Sequence, residues 1–145
     1  MQSINLSSMK FFTLDEARAV LPEIKSIVEK LQNTKKALDV FKNIEIEYGD
    51  ESVLDDINTT KINKEFHRLS YQFFHCIGQL EDLGCMLKDM NNGLVDFYSI
   101  VDGKEIFFCW RLGEKDIVHW HDLEAGFRGR MPITSLLGKE TKIEK

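Results

Sequence analysis

Apolar residues keep a helical period up to Gly84 and an alternating one beyond it, which leaves few architectures open. In the first run they fall at Leu14, Ala17, Leu21, Ile24, Val28, Leu31 and Leu38, and only Lys35 breaks the heptad spacing. In the second they fall at Ile62, Phe66, Leu69, Phe73, Cys76, Leu80 and Leu83 without a break. Spacings that alternate three and four put each set on one narrow stripe of a helix. Two such stripes, joined by an acidic, polar connection at 49–60, predict a long antiparallel helical hairpin over 13–84 with coiled-coil-like seams.

The ends of the first helix are legible in the same way. Thr13 and Glu16 form a capping box, and Phe12 stands where it can staple onto the first turn. Pro22 removes one backbone bond inside the helix and should bend it. The first helix is expected to end near Ile44–Tyr48, and the second at Gly84, because glycine tolerates a left-handed exit, although Leu87 keeps the heptad going and leaves a later end open.

Past Gly84 the chain reads as short strands: Cys85–Lys88, then Leu94–Val101 and Lys104–Leu112, rich in aromatic and β-branched residues, then Ile117–His121. Asp102-Gly103 is a two-residue hairpin signal. It pairs Val101 with Lys104, Ser99 with Ile106, Phe97 with Phe108 and Val95 with Trp110. One face then carries Val95, Phe97, Ile106, Phe108 and Trp110 and should pack on the helices. The other carries Asp96 opposite Cys109, with Tyr98, Phe107 and Arg111 nearby. A three-residue loop at Glu114–Asp116 places Val118 and Trp120 on the apolar face and His119 and His121 on the polar one. A four-residue loop would reverse both. The expected fold class is therefore α+β, a helical hairpin followed by a small antiparallel β-meander. A flexible leader at 1–10, one domain over 11–137 with a closing loop after Asp122, and a flexible tail at 138–145 complete the layout.

The 145 residues suit one domain, and 43% apolar content is enough for a core. A net charge of −5 speaks against a nucleic-acid binder or a polybasic membrane-surface protein. No apolar run approaches the roughly 20 residues of a membrane helix. Met1–Met9 has no basic stretch leading into an apolar one, so no signal peptide is expected. Cys76, Cys85 and Cys109 are odd in number and lack a Cys-x-x-Cys spacing, which points to a reducing cytoplasm.

Chemistry concentrates on the polar sheet face. His119 and His121, two apart on a strand, aim both imidazoles one way, and with Asp96 they make a workable set for zinc or another divalent metal. The same groups could do acid–base work, and Arg111 could clamp a carboxylate or phosphate. Each has a plainer reading. Most His-x-His pairs on amphipathic strands bind nothing, Arg111 can pair with Asp96 or Glu114, and Cys109 can be a small buried residue. Trp110 and Trp120 suit a core. Gly126-Phe127-Arg128-Gly129-Arg130 could rim an anion, or could simply turn the chain across the sheet edge with its arginines in water. His67 and His75 fall off the helical seam and should be exposed.

Phe12-Thr13-Leu14-Asp15-Glu16-Ala17 with Leu21-Pro22, then Leu83-Gly84, Lys88-Asp89 and Gly93-Leu94-Val95-Asp96-Phe97, resemble an uncharacterised bacterial and archaeal family, domain-of-unknown-function family 2203. So do Cys109-Trp110-Arg111-Leu112-Gly113-Glu114, Trp120-His121, Gly126-Phe127 and Gly129-Arg130. The resemblance spans about 12–132 and implies no activity. It picks out Asp96, Arg111, Glu114, His121 and Arg130 as motif positions and leaves out His119. The family's proline after the Asp-Phe pair is replaced here by Tyr98-Ser99.

Two functions fit these readings. One is a small soluble module that binds a ligand through Asp96, Arg111, Glu114, His121 and Arg130, or a metal through His121, Asp96 and His119. The other is an interaction or oligomerisation module acting through the helices, with a second copy or another protein as partner. Neither assigns a catalytic residue.

Overall fold

A computed structural model describes residues 10–47, 56–136 and 143–144. Helix α1 spans Leu14–Glu47 and is not interrupted at Pro22. Its capping box is formed: the Thr13 amide donates to Glu16 Oε1 at 2.9 Å, and the Glu16 amide donates to Thr13 Oγ1 at 3.1 Å. Phe12 is fully buried, and its ring meets Phe97 edge-on at 5.2 Å. Helix α2 spans Asp56–Leu83, so it begins inside the stretch expected to be a connection. Residues 48–55 and the leader 1–9 lie outside the described residues. The helices touch at Thr34 and Gln72, and again at Phe41 and Phe66, so their contacts run in opposite chain order. Thr34 is almost wholly buried, and its hydroxyl takes the Gln72 amide, a polar pin within an apolar seam.

The sheet is antiparallel, with β1 Met86–Asp89, β2 Leu94–Val101, β3 Lys104–Arg111, β4 His119–Asp122 and β5 Met131–Pro132 adjacent in chain order. A two-residue β6, Ile143–Glu144, pairs with Ile100–Val101 of β2. Thus part of the expected 138–145 tail joins the sheet, while 137–142 and Lys145 lie outside the described residues. The second edge of β2 is shared. β1 covers its start, the Phe12 amide donates to the Tyr98 carbonyl at 2.8 Å, and β6 covers its end.

The central hairpin has the register read from its turn, with Val95 on Trp110, Asp96 on Cys109, Phe97 on Phe108 and Val101 on Lys104. Asp102 and Gly103 both adopt positive φ, 55° and 78°, as a tight hairpin turn matched to strand twist requires. Val95, Phe97, Ile106, Phe108 and Trp110 are buried in one core with Ala17, Leu21, Ile24, Val28 and Leu31 of α1 and with Cys76 and Leu80 of α2.

Strand β4 keeps its expected face but not its expected pairing. A loop at Glu114–Asp116 alone would set His121 across from Cys109. Instead Cys109 pairs with His119, and Phe107 pairs with His121. The connection is wider because Glu114 organises it. The Trp110 indole donates to the Glu114 carbonyl at 2.9 Å, and the Glu114 amide donates to the Arg111 carbonyl at 3.0 Å. Ile117 therefore enters the core, fully buried, whereas Val118, expected there, is exposed.

Glycine matters most at Gly93, where φ is +66° and an added Cβ would stand 2.6 Å from Leu112 Cβ. Gly103 has similar φ but open space around it. Gly93→Ala should therefore cost about 2–4 kcal/mol, from strain plus overlap, against about 1–2 kcal/mol for Gly103→Ala. Urea unfolding of the two variants beside the parent measures the difference.

Candidate functional site

The outer sheet face is not a simple solvated surface. Asp96, Cys109 and His121 are 3%, 1% and 2% exposed, one from each of three adjacent strands. Asp96 and Cys109 are cross-strand neighbours, and His121 reaches them diagonally from its place opposite Phe107. One side-chain atom from each lies within 4.8 Å of the other two. His121 Nε2 stands 3.1 Å from Asp96 Oδ2, and Nδ1 stands 2.7 Å from the Asp122 carbonyl. Both ring nitrogens thus face oxygen acceptors, and only an imidazolium can donate to both.

The electrostatics agree with that geometry. Burial works against the charged ring. The Asp96 hydrogen bond, the Asp122 carbonyl and the Asp96 charge outweigh it, and the His121 pKa lies above the ordinary value, with Lys88 opposing the shift. Burial pushes the Cys109 thiol up to about 12, with the charge and hydrogen bond of Asp96 adding to the effect. Cys109 is therefore a protonated thiol at neutral pH and not a standing nucleophile.

A second cluster lies alongside. Arg130 Nη2 is 2.8 Å from each Glu114 carboxylate oxygen, 2.9 Å from His119 Nδ1 and 3.3 Å from the Cys109 carbonyl. His119 Nδ1 also stands 3.5 Å from Glu114 Oε2, so the ring lies between the guanidinium and the carboxylate. Glu114 Oε1 also takes the Arg111 amide at 2.6 Å. The 3-10 turn Phe127–Gly129 sets the Phe127 ring against the Arg130 guanidinium at 4.7 Å and near that of Arg111 at 5.8 Å.

The five residues expected to bind a ligand are thus divided. Asp96 and His121 meet in the buried trio. Glu114 and Arg130 meet in the second cluster, and Arg130 is not solvated there. The Arg111 side chain is exposed and joins neither carboxylate, since only its backbone amide reaches Glu114. His119 faces the same side as His121, but Arg130 holds it outside the trio. Its place as the third donor is taken by Cys109, whose position opposite Asp96 was already implied by the hairpin register. His67 and His75 are exposed, as expected.

The family described as "Uncharacterized conserved protein (DUF2203)" matches residues 10–133. The chain belongs to that family. No curated protein and no solved structure matches it. The match includes both clusters and the segment that joins them across the sheet. Among the described residues, no helix is long and apolar enough to cross a membrane.

The raised pKa of His121 fixes a pH dependence. An unfolded histidine titrates near 6.5, so the stabilisation from the ion pair is fully present below about pH 6.5. It is lost as pH rises through the higher folded value. Urea unfolding from about pH 5 to 9 should show this decline, and His121→Ala should remove it. The same variant should lose about 3–5 kcal/mol, because the buried Asp96 is left without its partner. An unchanged slope would separate the decline from His121.

Proposed function

We propose that this DUF2203 protein is a small cytoplasmic metal-binding module, in which Asp96, Cys109 and His121 hold a divalent ion such as zinc on a sheet braced by an antiparallel helical hairpin. The observation that carries this reading is the buried trio of three different donor types within 4.8 Å. Two ligands about 2.0–2.1 Å from a tetrahedral zinc stand roughly 3.3 Å apart, close to the 3.1 Å between His121 Nε2 and Asp96 Oδ2. The bond from His121 Nδ1 to the Asp122 carbonyl supports it as well, since ligating imidazoles are commonly oriented by such a carbonyl. Binding would displace the protons from Cys109 and from His121 Nε2, so affinity would rise with pH. Three protein ligands leave a fourth position for water, the arrangement in which zinc acts as a Lewis acid.

Tag-free protein expressed in zinc-supplemented medium should carry close to one metal per chain by mass spectrometry. His121→Ala and Cys109→Ser should each lose most of it while remaining folded by circular dichroism. Metal-free parent protein that also fails to take up added zinc would rule the reading out. The trio would then be an ion-pair network that joins three strands.

A second reading has its own observation. Tyr71 and Phe74 are 72% and 68% exposed on α2, large aromatic side chains without cover. They suit an oligomer or partner contact through the helices. Sedimentation of the parent beside Phe74→Glu tests this: a dimer that the substitution dissociates favours it, and a monomer at high concentration disfavours it.

A further inference from the structure

Helix α2 carries two stripes. The one that ends at Leu80 and Leu83 is spent on the core. On the opposite side, Lys64, His67, Tyr71, Phe74, Gly78 and Glu81 repeat the same alternation of three and four residues. Five of these six are exposed and Gly78 is half-buried, so the described part of the chain leaves this second seam uncovered. At its centre stand the two bare aromatics, Tyr71 and Phe74. His67 and Gly78 flank them, and Lys64 and Glu81 close the two ends, about 26 Å apart at 1.5 Å per residue. Among the described residues neither Lys64 nor Glu81 joins a salt bridge, whereas Arg68 beside them is held by Glu65. Gly78 needs a separate reason. Glycine inside a helix is less stable than alanine, yet beyond its own stretch of helix no atom lies within 4 Å of the place its Cβ would take. No neighbour in the described chain therefore requires glycine there.

We infer that this seam pairs with the same seam of a second copy, α2 antiparallel to α2 about a two-fold axis between Gln72 and Phe73, an inference that rests on the helical-contact reading above. One register then satisfies every layer. Tyr71 packs on the partner's Phe74, His67 lies over the partner's Gly78, where the missing side chain leaves room for the imidazole, and Lys64 pairs with the partner's Glu81. Two-fold symmetry makes each contact twice. A parallel pair in register instead sets lysine on lysine and glutamate on glutamate, and like charges repel. A large group against a small one and a cation against a carboxylate make the seam complementary to itself, which favours a second copy over an unrelated partner.

Sedimentation equilibrium of the full chain tests this, with the parent beside Phe74→Glu, Lys64→Glu, Glu81→Lys and the double exchange Lys64→Glu with Glu81→Lys. The expected result is a parent dimer that Phe74→Glu dissociates. Each single charge variant should bind about tenfold more weakly, because two ion pairs become two like-charge pairs, and the double exchange should return near-parental affinity. A dimer that Phe74→Glu dissociates but that ignores the single charge variants, or that the double exchange does not restore, overturns the antiparallel register and leaves the helical contact standing. A parent that stays monomeric at high concentration, or a dimer indifferent to Phe74→Glu, overturns this inference and counts against the helical-contact reading as well.

Discussion

The pleat of the β2–β3 hairpin governs the rest of the molecule. Its side chains alternate strictly, so a one-residue slip would carry Phe97, Phe108 and Trp110 into water and bring Asp96 and Cys109 against the helices. The turn at Asp102-Gly103 prevents that slip by admitting two successive positive φ values. With the register fixed, one face is committed to a core shared with both helices. The other face is committed to the polar groups.

A polar face of this kind carries a cost, because buried charges and donors lose water. The structure offsets it by pairing. His121 has acceptors for both ring nitrogens, and Glu114 has Arg130 and the Arg111 amide. These two clusters differ in what remains available. In the second, Arg130 satisfies Glu114 and stands against His119. In the first, a proton on His121 and a proton on Cys109 occupy the places an ion would take. That difference is why the metal reading belongs to the trio and not to His119.

The closing segment links the clusters. Phe127 packs on Arg130, Arg130 reaches Glu114 and the Cys109 carbonyl, and Asp122 supplies the carbonyl that orients His121. The segment is therefore tied to the sheet through polar atoms and one aromatic ring. Its glycines fit the turn into and out of a single helical turn, and its arginines divide, Arg128 to solvent and Arg130 inward.

Much of this was legible from local rules. The capping box at Thr13, the periods of both helices, the hairpin turn and the face of every residue in β2 and β3 follow from spacing and from the residues a turn demands. Those features depend on neighbours a few positions away, which a sequence displays directly. The exact pairing of β4 did not follow, because it depends on how Glu114 and the Trp110 indole hold the preceding connection. Nor did the choice of Cys109 over His119 as the third member of the trio, or the capture of Arg130 by Glu114. Hydrogen bonds between residues far apart in the chain decide both. The amino-acid sequence determined the periods, the turns and the sidedness of the sheet. Only the tertiary structure decided which polar groups meet, because a side chain's partner is set by where other strands bring their atoms.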